Sequence, residues 1–344
     1  MPKKKIMYLD ILRIIASIAV ITIHVAAQNW KYYTVDTFEW GAFNIFNSLS
    51  RWAVPVFCMI SGSLFLDCDR KVKIKKIYSK NIPRMAIAFL VWSVVYLFVI
   101  HDVSEMGIKE IIKTVCSGGY HMWYIFLIIG FYAIVPILRK ISDTQEATLY
   151  FIFISIIVTF LVPAIISVPE LKWLKPISNK AFLNLTLGYT PYFFMGHYIV
   201  KYGLRKKFKR LIYLLGVVSF VLIPAGTLII SQMKGKFYGA LYEYNSLTVL
   251  FQTLFVFLIV KEIFEDKQFS ARTEKFISAL SRDSFGVYMF HVAGILIIER
   301  CLNFESTTIN PYIAMPVIIV GTYVISEIVS FILNKIPIIK SYIV

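Results

Sequence analysis

Charge is scarce in this sequence: Asp, Glu, Lys and Arg make up 16% of its 344 residues, where a soluble domain carries about a quarter. Acids are scarcer than bases, 20 against 36. The four cysteines, Cys58, Cys68, Cys116 and Cys301, form no CxxC or other metal-ligand spacing, which argues against a cysteine-built metal or redox centre. No Gly-rich phosphate-binding motif occurs, so nothing points to direct use of ATP. There is no low-complexity tract and no short repeat. The longest stretches outside the apolar runs, 67–82 and 262–283, are of roughly 16 and 22 residues, too short to bury an independent core. Residues 1–344 therefore read as a single membrane-embedded domain with no separate soluble domain.

What the chain has in abundance is apolar residues, 58% of the total. They come in blocks of roughly 20, the length that crosses ~30 Å of hydrocarbon. The alternating ten-residue pattern of barrel strands is absent. The expected fold is all-α: a polytopic integral membrane protein of about ten transmembrane helices, with spans near 8–28, 43–66, 83–100, 122–138, 148–168, 181–200, 211–231, 246–263, 284–300 and 312–334.

The formal charge of +16 would suggest nucleic acid in a soluble protein. Here its placement matters more, and the partner it points to is the lipid bilayer, with no nucleic acid. Of the 36 Lys and Arg, 25 fall on the side of the N-terminus, eight on the other, and Arg13, Arg51 and Arg300 lie inside spans. Both termini are then cytoplasmic by the positive-inside rule, in a multi-pass protein of the cell membrane. The loop Pro169–Lys180 fits this least well. The start "MPKKKIMYLD" with its apolar run ending "VAAQ" imitates a secretory signal, but Asp10 and Arg13 interrupt the run and it is too long, so it is expected to stay as the first span. Cys116 and Cys301 both fall in expected outer loops, where a disulfide between them is possible.

Ionisable residues inside spans are costly and rarely face lipid. In the first span, Arg13 and His24 are eleven residues apart, three turns plus about 20°, so they share one helix face about 16 Å apart along the axis. Asp10 sits one turn before Arg13 and can pair with it. An ion pair that snorkels to the interface is the plain alternative for these two, and an interhelical hydrogen bond the plain alternative for His24. Arg51 lies too deep in the second span to snorkel comfortably. His121, Trp123 and Tyr124 open the fourth span, where Trp and Tyr commonly form an aromatic belt. Tyr288 and His291 share a face of the ninth span, and Glu327 lies inside the tenth. His197 falls near an expected inner interface, where it reads as solvated. An imidazole can take a proton from a hydroxyl or accept an acyl group. Cationic groups can hold a polyanion or steady an oxyanion. This inventory suits acyl transfer, and it equally suits a proton-coupled transporter or a flippase for a glycan or lipid intermediate.

A resemblance separates these readings. "YLDILRIIASIAVITIHV", "AVPVFCMISGSLFL", "HMWYIFLIIGFYAIVPILRK", "TPYFFMGHYI", "SRDSFGVYMFHV" and "ILNKIPIIKSYI" occur in that order from Tyr8 to Ile343. Together they resemble the motifs of the acyltransferase-3 family of multi-pass membrane acyltransferases. The resemblance implies transfer of an acyl group, typically acetyl, from cytosolic acyl-coenzyme A to a hydroxyl of an extracytoplasmic glycan or other envelope molecule. The donor is a substrate. No permanently bound cofactor and no metal are implied. By position, Arg13 and His24 match the family's essential Arg and His and are the expected catalytic residues. Arg84 matches the second basic residue of the family's third-helix pair, the first of which falls on Asn81. Val292 stands after His291 where the family commonly has Pro. Asp10, Arg51, Arg84, His121, Trp123, Tyr288, His291 and Glu327 are the expected substrate-binding residues, Glu327 lying outside any family pattern. With no fused extracytoplasmic domain in the sequence, the chain is expected to acylate its acceptor directly or through a separate partner.

Overall fold

The computed structural model of the chain describes residues 6–69, 73–168, 170 and 188–342. Lys3, Lys4, Lys5, Arg70, Lys71, Lys172, Lys175 and Lys180, all used in the charge count, lie outside the described residues. So do Ile343, most of the loop Pro169–Lys180 and the first seven residues of the expected span 181–200. Among the described residues there is no β-strand, and nine helical segments are long and apolar enough to cross a membrane.

Helix α1 (Met7–Gln28) contains neither Gly nor Pro, so nothing interrupts its 22 residues. At 1.5 Å per residue it is about 33 Å long. It is the centre of the molecule, packed against five of the helices introduced below. The expected second span lies within one apolar segment, Phe38–Phe65, whose helix is interrupted at Arg51–Trp52. Helix α2 (Phe38–Ser50) starts five residues early, where the Thr37 side chain accepts from the Trp40 amide. It ends at Arg51–Trp52, and α3 (Ala53–Phe65) follows. Pro55 explains the break: it has no N–H to give the Arg51 carbonyl four residues back. The ladder resumes with Val56 N–H to the Trp52 carbonyl at 3.0 Å. Arg51 therefore stands at a kink, not inside a continuous helix.

Helix α4 (Ile82–Ile100) continues a π-helical turn at Ile77–Asn81, and α5 (Ile108–Ser117) is a short helix where the sequence reading placed only a loop. Helix α6 (Trp123–Ile141) carries Arg139, whose guanidinium donates to the carbonyls of Phe65 at 2.7 Å, Asp67 at 2.9 Å and Cys68 at 3.3 Å. It thereby satisfies carbonyls at the end of α3 that lack helical partners. Helix α7 (Gln145–Ile156) runs on through Ile166.

Helix α8 (Thr190–Lys201) is the described part of the expected span 181–200. It has 12 residues, about 18 Å and too short to cross alone. It lies on α3 in direct backbone contact. A Cβ on Gly62 would sit 1.8 Å from the Phe193 oxygen, and one on Gly196 2.1 Å from the Met59 oxygen. Only glycine on both helices permits this approach.

Helices α9 (Lys206–Lys234), α10 (Leu247–Phe264), α11 (Ala271–Cys301) and α12 (Pro311–Leu333) complete the bundle. The outer face of α9 exposes Leu214, Val217 and Val221, an apolar stripe facing lipid in a membrane protein. Helix α11 is capped by Ser270 and has 31 residues, so Arg272, Lys275 and Arg282, expected in a loop, ride on a helix. Cys116 on α5 and Cys301 at the end of α11 are both free and exposed, so the disulfide considered between them is not formed.

Candidate functional site

Two helices define the site. Ser281 on α11 donates to the Asp10 carboxylate of α1 at 2.6 Å. Ten residues later on α11, the His291 ring lies 5.0 Å from the His24 ring. Arg13 to His24 spans eleven residues of α1. The two helices therefore run side by side in the same direction and rise together from an arginine end to a histidine end, about 16 Å apart.

Beside them is a cavity of about 370 Å³, within the range of small-molecule sites. Arg13, Arg84, Arg282, Ser281, Ser284 and Phe285 line it at one end. His24, His121, Trp123 and Tyr244 line it at the other, with Tyr124, Tyr132 and Tyr288 also in its wall. Of the residues expected from the sequence, Arg13, His24, Arg84, His121, Trp123 and Tyr288 are brought to this one cavity. Asp10 lies behind Arg13, and His291 lies against His24. Arg51 touches the cavity through Tyr244, its guanidinium 4.7 Å from that ring. Glu327 is not in the cavity lining.

The Asp10–Arg13 pair is not a snorkelling pair. Asp10 is 5% exposed, held by Arg13 Nη1 at 3.3 Å as well as by Ser281. Its position on the α11-facing side of α1 turns it into the bundle instead of toward the headgroups. His197 also departs from its expected solvation. It is 1% exposed, because α8 packs tightly into the bundle. Trp123 is a cavity wall and not merely a belt residue.

At the histidine end, three imidazoles converge. The His121 ring is 5.0 Å from His291 and 6.3 Å from His24. His121 is set by its loop: Gly118 has φ +67°, and a Cβ there would meet the Phe89 ring at 2.6 Å. The Tyr288 hydroxyl donates to the His121 carbonyl at 2.5 Å, and the Tyr96 ring packs 4.8 Å from the imidazole. His291 Nδ1 is 2.6 Å from the Tyr288 carbonyl. A carbonyl only accepts, so Nδ1 carries the proton and Nε2 presents a lone pair. That Nε2, and both ring nitrogens of His121, are buried with no protein partner. Buried polar atoms of this kind call for a substrate or water. Among the described residues no group of three or more His, Cys, Asp or Glu side chains could hold a metal ion.

Chemically, one end offers guanidinium groups that suit phosphates. The other offers imidazole nitrogens that can accept or give a proton. Sequence reasoning did not single out Ser281, Tyr132 or Tyr244. Ser281 begins the "SRDSFGVYMFHV" motif, which was the available signal. Tyr132 lies within "HMWYIFLIIGFYAIVPILRK", which carried the same kind of signal, whereas Tyr244, one of 21 tyrosines, had none.

Comparison with protein-family models matches the acyltransferase domain of the acyltransferase-3 family to residues 6–334. Comparisons with curated proteins and with solved structures give no match.

Proposed function

The chain belongs to the acyltransferase-3 family and is a membrane acyltransferase, and we propose that it moves an acetyl group from cytosolic acetyl-coenzyme A to a hydroxyl of a glycan or other envelope molecule outside the cell membrane. The observation that carries this reading is the single cavity with arginines at one end and histidines at the other. An elongated thioester with an anionic head fits that polarity. Arg13, Arg84 and Arg282 take the phosphates of the donor, and the basic loops on their side of the bundle draw it from the cytosol. The acyl thioester then reaches the histidine end.

There the acceptor oxygen attacks the thioester carbon. His24 takes the hydroxyl proton, the C–S bond breaks, and the proton passes to the departing thiolate, leaving an ester and free coenzyme A. His121, with both ring nitrogens unused by the protein, donates to the carbonyl oxygen as charge develops on it. His291 is locked by Tyr288 in one tautomer and positions the His24 ring.

Purified protein in detergent, given radiolabelled acetyl-coenzyme A and an envelope extract as acceptor, should release coenzyme A and label the extract. His24→Gln should fold, bind the donor and fail to turn over, since an amide keeps a hydrogen bond but cannot shuttle a proton. Substantial turnover by folded His24→Gln protein would remove His24 from the chemistry.

A further inference from the structure

Arg51 has a charge that the protein does not neutralise. Its Nε donates to the Tyr242 carbonyl at 2.9 Å and its Nη1 to the Asn47 side-chain oxygen at 3.3 Å. Both acceptors are neutral. No carboxylate lies within ion-pair distance of Arg51 among the described residues. Glu243, beside Tyr242 in sequence, is exposed. A guanidinium has five donor hydrogens, and these two bonds fix the fork while leaving most of them available. The Pro55 kink is what allows this, because it stops α2 just where Arg51 turns in.

The neighbours of this guanidinium are aromatic. Tyr244 lies under it at 4.7 Å. The rings of Trp123, Tyr189 and Tyr244 close on one another, with centroids 5.6 Å apart for Trp123–Tyr189, 6.2 Å for Trp123–Tyr244 and 5.6 Å for Tyr189–Tyr244. Tyr244 is fixed from behind, its carbonyl accepting from the Tyr192 hydroxyl at 2.6 Å. An interfacial belt would point these rings outward. Trp123 is 39% exposed, yet its ring also meets those of Tyr189 and Tyr244, and Trp123 and Tyr244 share the cavity wall with His24.

Aromatic faces beside a fixed cation make a specific recognition surface. The C–H face of a sugar ring is apolar and lies flat on Trp or Tyr. A carboxylate on that sugar accepts the charge-assisted pair of bonds a guanidinium offers. Trp123 and Tyr244 line the cavity, with Tyr189 and Arg51 packed against them; we infer that these four residues form an acceptor subsite at the cavity's edge, and that the acceptor is a saccharide bearing a carboxylate. This rests on the acyl-transfer reading above for its role, but not for its binding. Trp123 and Tyr244 carry the ring and Arg51 the acid group, which sets a neighbouring hydroxyl toward His24. The half-buried guanidinium, with no carboxylate beside it among the described residues, also favours an acidic sugar over a neutral one.

Saturation-transfer NMR on the full chain in lipid nanodiscs, with no donor present, tests this using methyl glucuronide and methyl glucoside as probes. The wild type should bind the glucuronide about ten times more tightly than the glucoside, with transfer concentrated on the ring C–H protons. Arg51→Gln should bring the two probes to about equal affinity. Arg51→Lys should keep part of the preference, since an ammonium retains charge without the fork. Trp123→Leu should lose both probes. If Arg51→Gln does not give monodisperse protein, the wild-type preference and the Arg51→Lys and Trp123→Leu variants decide the matter. No signal from either probe, equal wild-type affinities, or full binding by Trp123→Leu would each overturn the inference. Donor turnover with no sugar signal would sink this inference alone. Carboxylate-selective binding with no use of acetyl-coenzyme A would sink the acyl-transfer reading and leave the subsite.

Discussion

Replacing Asp10 by Asn should make the protein less stable and its donor affinity higher. The substitution is isosteric, and Asn can still accept from Ser281, which now donates to Asp10 at 2.6 Å. What disappears is the charge opposite Arg13 at 3.3 Å. Removing one partner of a fully buried pair costs about 3–5 kcal/mol. The Asp10 side chain is 7% exposed but that of Arg13 is 29% exposed, and Arg13 opens on the cavity, so screening reduces the cost to about 2 kcal/mol. For a chain of this size that lowers the thermal midpoint by about 4 °C.

The same change frees Arg13 for a phosphate. If its guanidinium now divides itself between Asp10 and the donor, about 2 kcal/mol bounds the gain at roughly 30-fold. Screening in an open cavity brings the expected tightening of coenzyme A binding to about fivefold to tenfold, shrinking as salt is added. The assay pairs a thermal scan at fixed rate with calorimetric titration of coenzyme A, on wild type and Asp10→Asn. A destabilised variant whose coenzyme A affinity is unchanged or weaker would refute the assignment of Arg13 to the donor phosphates. A variant equal to wild type in both measurements would show that the pair contributes nothing in the assembled bundle.

Gly62→Leu should separate α3 from α8, because a Cβ alone would lie 1.8 Å from the Phe193 oxygen. A loss of about 3 kcal/mol or more is expected, read as a lower thermal midpoint, and a wild-type midpoint would contradict the contact. Pro55→Ala restores an N–H to the Arg51 carbonyl, so α2 and α3 should join and carry Arg51 off the Tyr242 carbonyl. Turnover should fall by about tenfold or more with the midpoint kept or raised, and unchanged kinetics would argue that the kink has no role in the site. Arg139→Ala strips three carbonyls at the end of α3 of their donor. It should cost about 2 kcal/mol, which a thermal scan would show. For topology, cysteines placed at Ser117 and Lys207, both exposed, in a background without Cys116 and Cys301, should label with an impermeant thiol reagent from outside only at position 117; the reverse pattern would invert the proposed sides of donor and acceptor.

The helical architecture was legible because it depends on local composition. Unbroken apolar runs of about 20 residues have few alternatives to spanning, and nine of the ten expected spans overlap described helical segments long enough to cross. The departures come from features that hydropathy averages away. Pro55 interrupts the helix inside the second span because of one missing N–H, while the span Phe38–Phe65 itself overlaps the expected range 43–66. The start of α11 is polar enough to look like a loop, yet Ser270 caps it and the helix runs through. The close packing of α8 on α3 depends on Gly62 against the Phe193 backbone and Gly196 against the Met59 backbone, two glycines 134 positions apart in the chain. No local window contains both.

The site divides along the same line. Arg13 and His24 share a helix, so their common face follows from a rotation of 100° per residue. That Ser281 and His291 run parallel to them could not follow, because it requires knowing that α11 lies against α1 and in the same direction. Arg51 shows the limit most clearly. From the sequence it is an arginine too deep to snorkel and an expected substrate-binding residue, with nothing to say what it would bind. Once the kink, the Tyr242 carbonyl and the three facing rings are in place, the same side chain becomes a fixed cation without a counter-charge. Its chemistry then points at what must supply one. The identity of the residue was always readable, whereas the missing partner is a property of the assembled bundle, and it is this absence that carries specificity.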